Sequence, residues 1–218
     1  MQEHMACGVV VSAIERPIKN IIKGFSIPAG LPWHLVDEVY ISVNSDGEFH
    51  WVLAVVVLKE RLIRVYDSPM GTRVREPCGE IKKLATMLSS FLHDNGFFDQ
   101  TERTNWSSLD AYKDSQTGML LEPNVTFKFE FTQDTMQQQC DSLDCGMYVV
   151  AYDEYLSDRI PVPKISFRSD NLRARYGALL WQYGTEKAKA RYVSENDDPT
   201  RPRSHSKKPA QEDVVKVD

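Results

Sequence analysis

The chain has 218 residues, a formal charge of -5 and four cysteines. That length suits one well-formed domain and is short for two. The acidic balance excludes a general affinity for nucleic acid or an anionic membrane surface, which needs a concentrated basic face, and no apolar run is long enough to span a membrane.

Residues 1–32 show no sustained period and are punctuated by Pro17, Gly24, Pro28 and Gly30, so a loosely structured lead-in is expected. Its short apolar stretch from Cys7 to Ile14 follows Glu3 and His4 rather than a basic segment, unlike a secretory signal. Asp37 to Val43 alternates as a short strand, and Asn44-Ser45-Asp46-Gly47 reads as a turn. Two apolar runs follow, Trp51 to Leu58 and Leu62 to Tyr66, separated by Lys59-Glu60-Arg61. They predict an antiparallel hairpin. The first run is apolar on both faces, as a strand covered on both sides must be. Positions 50 and 67 have their midpoint at about 58.5, near that turn, so the pairing is expected to set His50 directly opposite Asp67.

From Glu80 to His93, Ile81, Leu84, Ala85, Leu88, Phe91 and Leu92 fall at helical spacing behind Pro77. Residues 99–119 are polar and irregular, which predicts an inserted, mobile loop. Val125, Phe127, Phe129 and Phe131 alternate with polar residues as a half-buried strand. A helix is expected to start at Asp144-Cys145 and to be largely buried through Tyr155, with another from about Asn171 to Tyr183. From Ser194 onward the chain is charged and poor in large apolar groups, so 194–218 is expected to be a disordered tail.

The four cysteines, Cys7, Cys78, Cys140 and Cys145, lack the spacing of zinc ligands, so no metal site and no cofactor is expected. The chain reads as intracellular, where thiols stay reduced. Cys145 is the candidate nucleophile. A core cysteine at the start of an apolar helix is the commoner role for such a residue, but a thiol at a helix N-terminus gains from the dipole and the unpaired amides, and Gly146 lets a substrate backbone approach. His50 alone reads as a strand-end histidine, Asp67 as a turn residue and Gln139 as one of three loop glutamines. In combination they supply a base, a carboxylate to orient it, an amide donor and a thiol, which together are the parts of thiol hydrolysis.

The segments Val36 to Asn44, Phe49-His50-Trp51 to Val55, Ile63 to Ser68 and Gln139 to Met147-Tyr148-Val149 resemble the ubiquitin-like-protein-specific protease family, which includes the SUMO (sentrin) proteases. Versions carried in plant mobile elements are the most similar. The resemblance covers about residues 33–183, and the catalytic domain is taken as 33–185. It implies an α+β cysteine-protease fold with a central mixed sheet of about five strands flanked by helices and the nucleophile at a helix N-terminus. By the same resemblance, His50 is the general base and acid, Asp67 its orienting partner, and Cys145 the nucleophile. The Gln139 side chain with the Cys145 amide forms the oxyanion hole, and Trp51 lines a channel that admits only a Gly-Gly tail. The implied partners are a SUMO-type modifier and its conjugates, met by a monomer in the nucleus or cytoplasm.

Two features depart from the family pattern. The family's upstream helical segment with its own tryptophan has no counterpart before Trp33, so one wall of the channel is expected to be missing. The asparagine two positions after the glutamine is Asp141 here, and the 99–119 insertion lengthens the path to Cys145. The alternatives are a weak or inactive relic that binds a modifier without cleaving it, and an acyltransferase using the same His50, Asp67, Gln139 and Cys145.

Overall fold

The structure is a computed structural model that describes residues 17–25, 31–45, 50–69, 78–122, 125–133, 135–139, 142–165 and 167–191. The 194–218 tail, Phe49, Cys140, Asp141 and most of the lead-in lie outside the described residues. Strands β1 (Glu38–Asn44), β2 (Trp51–Val57), β3 (Leu62–Tyr66) and β4 (Lys128–Phe131) form one sheet in the order β1-β2-β3-β4. The first three are antiparallel and β4 is parallel to β3. The sheet is therefore mixed, as expected, with four strands among the described residues against the about five anticipated. Helices α1 (Gly79–Asp94), α2 (Cys145–Ser157) and α3 (Ser169–Lys189) complete an α+β fold.

Because side chains alternate along a strand, β2 feeds two cores. Val52, Ala54 and Val56 join Ile63 and Val65 of β3 under α1, where Ile81, Ala85, Leu88 and Leu92 are buried. Leu53, Val55 and Val57 meet Tyr148, Val149 and Tyr152 of α2 on the opposite face. The Tyr152 hydroxyl satisfies the Met136 carbonyl at 2.6 Å, so the aromatic core of α2 also fixes the segment leading to Cys145.

The hairpin register differs from the midpoint expectation. Leu53 pairs with Tyr66 and Val57 with Leu62, two residues away from the register that puts position 50 opposite 67. The cause is the turn. Leu58–Glu60 forms a 3-10 turn and Arg61 takes a left-handed conformation (φ 52°), so residues 58–61 all belong to the loop. A shift of two, unlike a shift of one, leaves every side chain on its face.

Two other expectations change. The 99–119 segment is anchored in the core at two points: Trp106 is 2% exposed, and both it and Tyr112 belong to the α1-side core, beside Phe97 and Phe98. The polar stretch carries aromatic anchors, and the Asp114 carboxylate caps its turn through the Gln116 and Thr117 amides. The Arg61 guanidinium lies over the Tyr112 and Phe127 rings, 5.4 Å from each centroid. Arg61, His93, Trp106 and Tyr112 line part of a cavity of about 290 Å³ on this side of the sheet. In the lead-in, residues 17–22 are helical and Ile22 is buried in the same core.

Helix α3 outlasts the segment read from the sequence and has no buried residue. Its contacts with α2 include polar ones. Arg175 and the Tyr176 hydroxyl both donate to the Glu154 carboxylate, holding it at about 2, against an ordinary value of 4.5. A carboxylate depressed on folding contributes stability that is complete above its unfolded value and fades as pH falls through the folded one. Glu154→Gln is therefore expected to flatten the loss of stability between about pH 4.5 and about pH 2, read from thermal unfolding midpoints across that range.

Candidate active site

His50 and Asp67 stand just beyond the facing ends of β2 and β3. Extending the register puts Asp67 opposite Val52, with His50 two positions further on and diagonal to it. Diagonal neighbours lie within reach of long side chains, and His50 Nε2 is 2.8 Å from Asp67 Oδ1. A carboxylate only accepts, so Nε2 carries the proton and Nδ1 keeps the lone pair that a thiol proton needs. The His50 side chain is 25% exposed and that of Asp67 11%, which leaves the ring reachable and its partner sheltered. The Ser45 amide donates to the His50 carbonyl at 2.8 Å and ties the base to the end of β1.

Cys145 is the first residue of α2 and is 4% exposed. The Asp144 carbonyl accepts from the Met147 and Tyr148 amides, which starts the helix at that point. A Cβ built on Gly146 meets no heavy atom within 4 Å among the described residues, so there is open space beside the helix start. Trp51 follows His50 in the chain, opens β2 and is 42% exposed, a large indole left at the surface.

What joins the two halves is a buried polar seam. Pro69 bridges in parallel to Gln138. The Gln138 amide donates to the Ser68 carbonyl at 2.8 Å, the Ser68 hydroxyl donates to Gln138 Oε1 at 3.0 Å, and Gln138 Nε2 donates to the Ser142 carbonyl at 3.1 Å. The residue after Asp67 is thus fastened to the loop that ends in Cys145. Ser68 and Gln138 were not singled out from the sequence, although Ser68 belongs to the Tyr-Asp-Ser motif and Gln138 to the run of three glutamines. Gln139 is exposed, and its carbonyl accepts from the Ser142 amide at 3.3 Å. Among the described residues no group of three or more His, Cys, Asp or Glu side chains is arranged to hold a metal ion.

A histidine bonded to a carboxylate and linked by a polar seam to the loop before a cysteine at a helix N-terminus is a set of parts that thiol hydrolases use. The family model of the Ulp1 protease family, C-terminal catalytic domain, matches residues 32–186, and the chain belongs to that family of cysteine proteases. A similar protein is the ubiquitin-like-specific protease 1A of Arabidopsis thaliana, 25% identical over 158 residues, which are 72% of this chain and 26% of that protein. The chain thus spans about a quarter of that relative's length. Among solved structures, the SUMO protease Ulp1 with its catalytic cysteine oxidized to a sulfonic acid aligns over 63% of this chain and 48% of its own, at 19% identity and a TM-score of 0.37. The C-terminal Ulp1 protease domain in complex with Smt3, the yeast ortholog of SUMO, aligns over 58% and 44%, at 20% identity and a TM-score of 0.35.

The seam predicts opposite behaviour for neighbouring glutamines. Gln138→Ala strands the buried Ser68 hydroxyl and the Ser142 carbonyl and is expected to cost about 1–3 kcal/mol in urea unfolding. Gln139→Ala removes an exposed side chain and is expected to change stability by less than about 0.5 kcal/mol.

Proposed function

We propose that this chain carries the catalytic part of a cysteine-type peptidase and isopeptidase that cleaves after the Gly-Gly end of a SUMO-type ubiquitin-like modifier. The observation that carries the reading is the 2.8 Å contact between His50 and Asp67, because it leaves Nδ1 with its lone pair at a hairpin end fastened through Ser68 and Gln138 to the loop of Cys145. Family membership and the half-exposed Trp51 at the start of β2 support the choice of substrate.

In this reading His50 Nδ1 takes the Cys145 proton and the thiolate attacks the carbonyl carbon of the terminal glycine. A carbon–sulfur bond forms and the carbonyl electron pair moves onto oxygen. The Gln139 side-chain amide and the Cys145 backbone amide hold that oxyanion. Its collapse breaks the carbon–nitrogen bond, and the leaving amine takes the proton from His50. Water, deprotonated by His50, then attacks the thioester, which releases the modifier carboxylate and restores the thiol. Asp67 keeps the imidazole in the required tautomer throughout. The protein acts as a monomer in the nucleus or cytoplasm on modifier precursors or conjugates.

The test is a SUMO-type protein carrying a C-terminal electrophile, which labels Cys145 if the reading holds; a chain that binds this probe without labelling overturns it. Cys145→Ala is expected to abolish cleavage of a modifier fused to a reporter while calorimetric binding is retained. Gln139→Ala is expected to lower kcat by about 10²–10³ with KM little changed. Equal loss of binding and rate in that variant would assign Gln139 to holding the loop rather than the oxyanion.

A further inference from the structure

Asp144 precedes the candidate nucleophile directly, and its surroundings are unusual for a helix-capping carboxylate. It makes no side-chain cap bond to its own helix. Its Oδ2 instead accepts from the Ser142 hydroxyl at 2.5 Å, and its amide donates back to that hydroxyl at 3.2 Å. Its Oδ1 pairs with the Arg173 guanidinium of α3. Ser169, the first residue of α3, also favours the charged form of that carboxyl group. The Asp144 carboxyl lies below the usual carboxylate range, through the Ser142 hydroxyl first and then Ser169 and Arg173, against the opposing push of burial. The carboxylate thus stands between the N-termini of two helices, with a cation supplied by the second.

That placement has a consequence for the neighbouring sulfur. A thiolate at residue 145 and a carboxylate at residue 144 compete for one positive helix end, and a like charge disfavours ionisation of its neighbour. We propose that Arg173 of α3 is a positioning residue for the thiol chemistry: it offsets the Asp144 charge and so lets Cys145 ionise at the head of α2. The inference rests on Cys145 being the nucleophile, but not on the identity of the substrate. Among the described residues, the further charged groups to weigh are His50 and Asp67, paired with each other beyond the ends of β2 and β3, and Asp170, 3.8 Å from the Arg173 guanidinium. Asp170 is exposed and shares Arg173, whereas Asp144 holds it closely.

The experiment measures alkylation of Cys145 by iodoacetamide in the full chain, resolved from Cys140 by tandem mass spectrometry, from neutral pH to about pH 10, above the ordinary thiol range. Arg173→Gln is expected to slow alkylation at neutral pH by roughly two- to fivefold, the range of a partly exposed pair, and the difference is expected to vanish at the alkaline end. Arg173→Lys keeps most of the wild-type rate. Asp144→Asn alone does not slow the reaction, and Asp144→Asn with Arg173→Gln restores it, because the charge to be offset is gone. An unchanged rate in Arg173→Gln overturns the proposal, since Arg173 then has no effect on the thiol; so does a deficit that persists at alkaline pH or a double variant slower than the single one, since each is the mark of a packing role. Wild-type chain that alkylates normally yet cleaves no modifier speaks against the substrate reading alone.

Discussion

The rest of the molecule depends on the burial of β2 on both faces. A strand whose every side chain from Val52 to Val57 is buried cannot slip by one residue, since that would exchange the side chains facing α1 with those facing α2. Both helices are therefore located by one strand, and the ends of that strand and of β3 become fixed points. His50 and Asp67 occupy those ends. Their contact survives a register two residues away from the simplest pairing because an even shift preserves faces and a diagonal pair still reaches.

Apolar burial is non-directional and holds α2 against the sheet without deciding how its first residue is turned. The seam of Ser68, Gln138 and Ser142 makes that decision. Ser68 and Gln138 are buried, and a buried amide or hydroxyl without a partner is costly, so the loop before Cys145 is confined to placements that complete these bonds. Gln138 pairs in parallel with Pro69 in an extended stretch, where consecutive side chains point opposite ways. With Gln138 turned inward to the seam, Gln139 is turned outward to solvent.

How far this was legible in the sequence follows from the kind of signal each part carries. The two-faced apolar run of β2, the helical spacing of α1 and the start of α2 at Cys145 are periodic features, and they match the structure closely. The juxtaposition of His50 and Asp67 was readable as well, because any antiparallel hairpin between those runs brings their outer ends together. Its register was not, since the left-handed Arg61 ends a four-residue loop that residue types alone do not announce. The anchoring of the 99–119 segment is not legible in the sequence, because Trp106 and Tyr112 are isolated in polar surroundings and have no period to betray them. Gln138 is not distinguishable in the sequence for a related reason: three adjacent glutamines look alike until a partner such as Ser68 selects one.

Helix α3 shows what polar contacts do where burial is thin. Arg173, Arg175 and Tyr176, all in its first half, reach Asp144 and Glu154 of the α2 segment, while Leu180 and Trp181 further along remain exposed. Asp144 and Glu154 are ten positions apart, a span of about 15 Å at 1.5 Å per residue. These two charge-assisted attachments leave α3 from neighbouring positions, so they hold the first half of α3 against the length of α2, beside Leu172, which packs on the same core. The hydrophobic layers thus bring the sheet and helices together, and directional bonds at the margins set the orientation of the groups that carry chemistry.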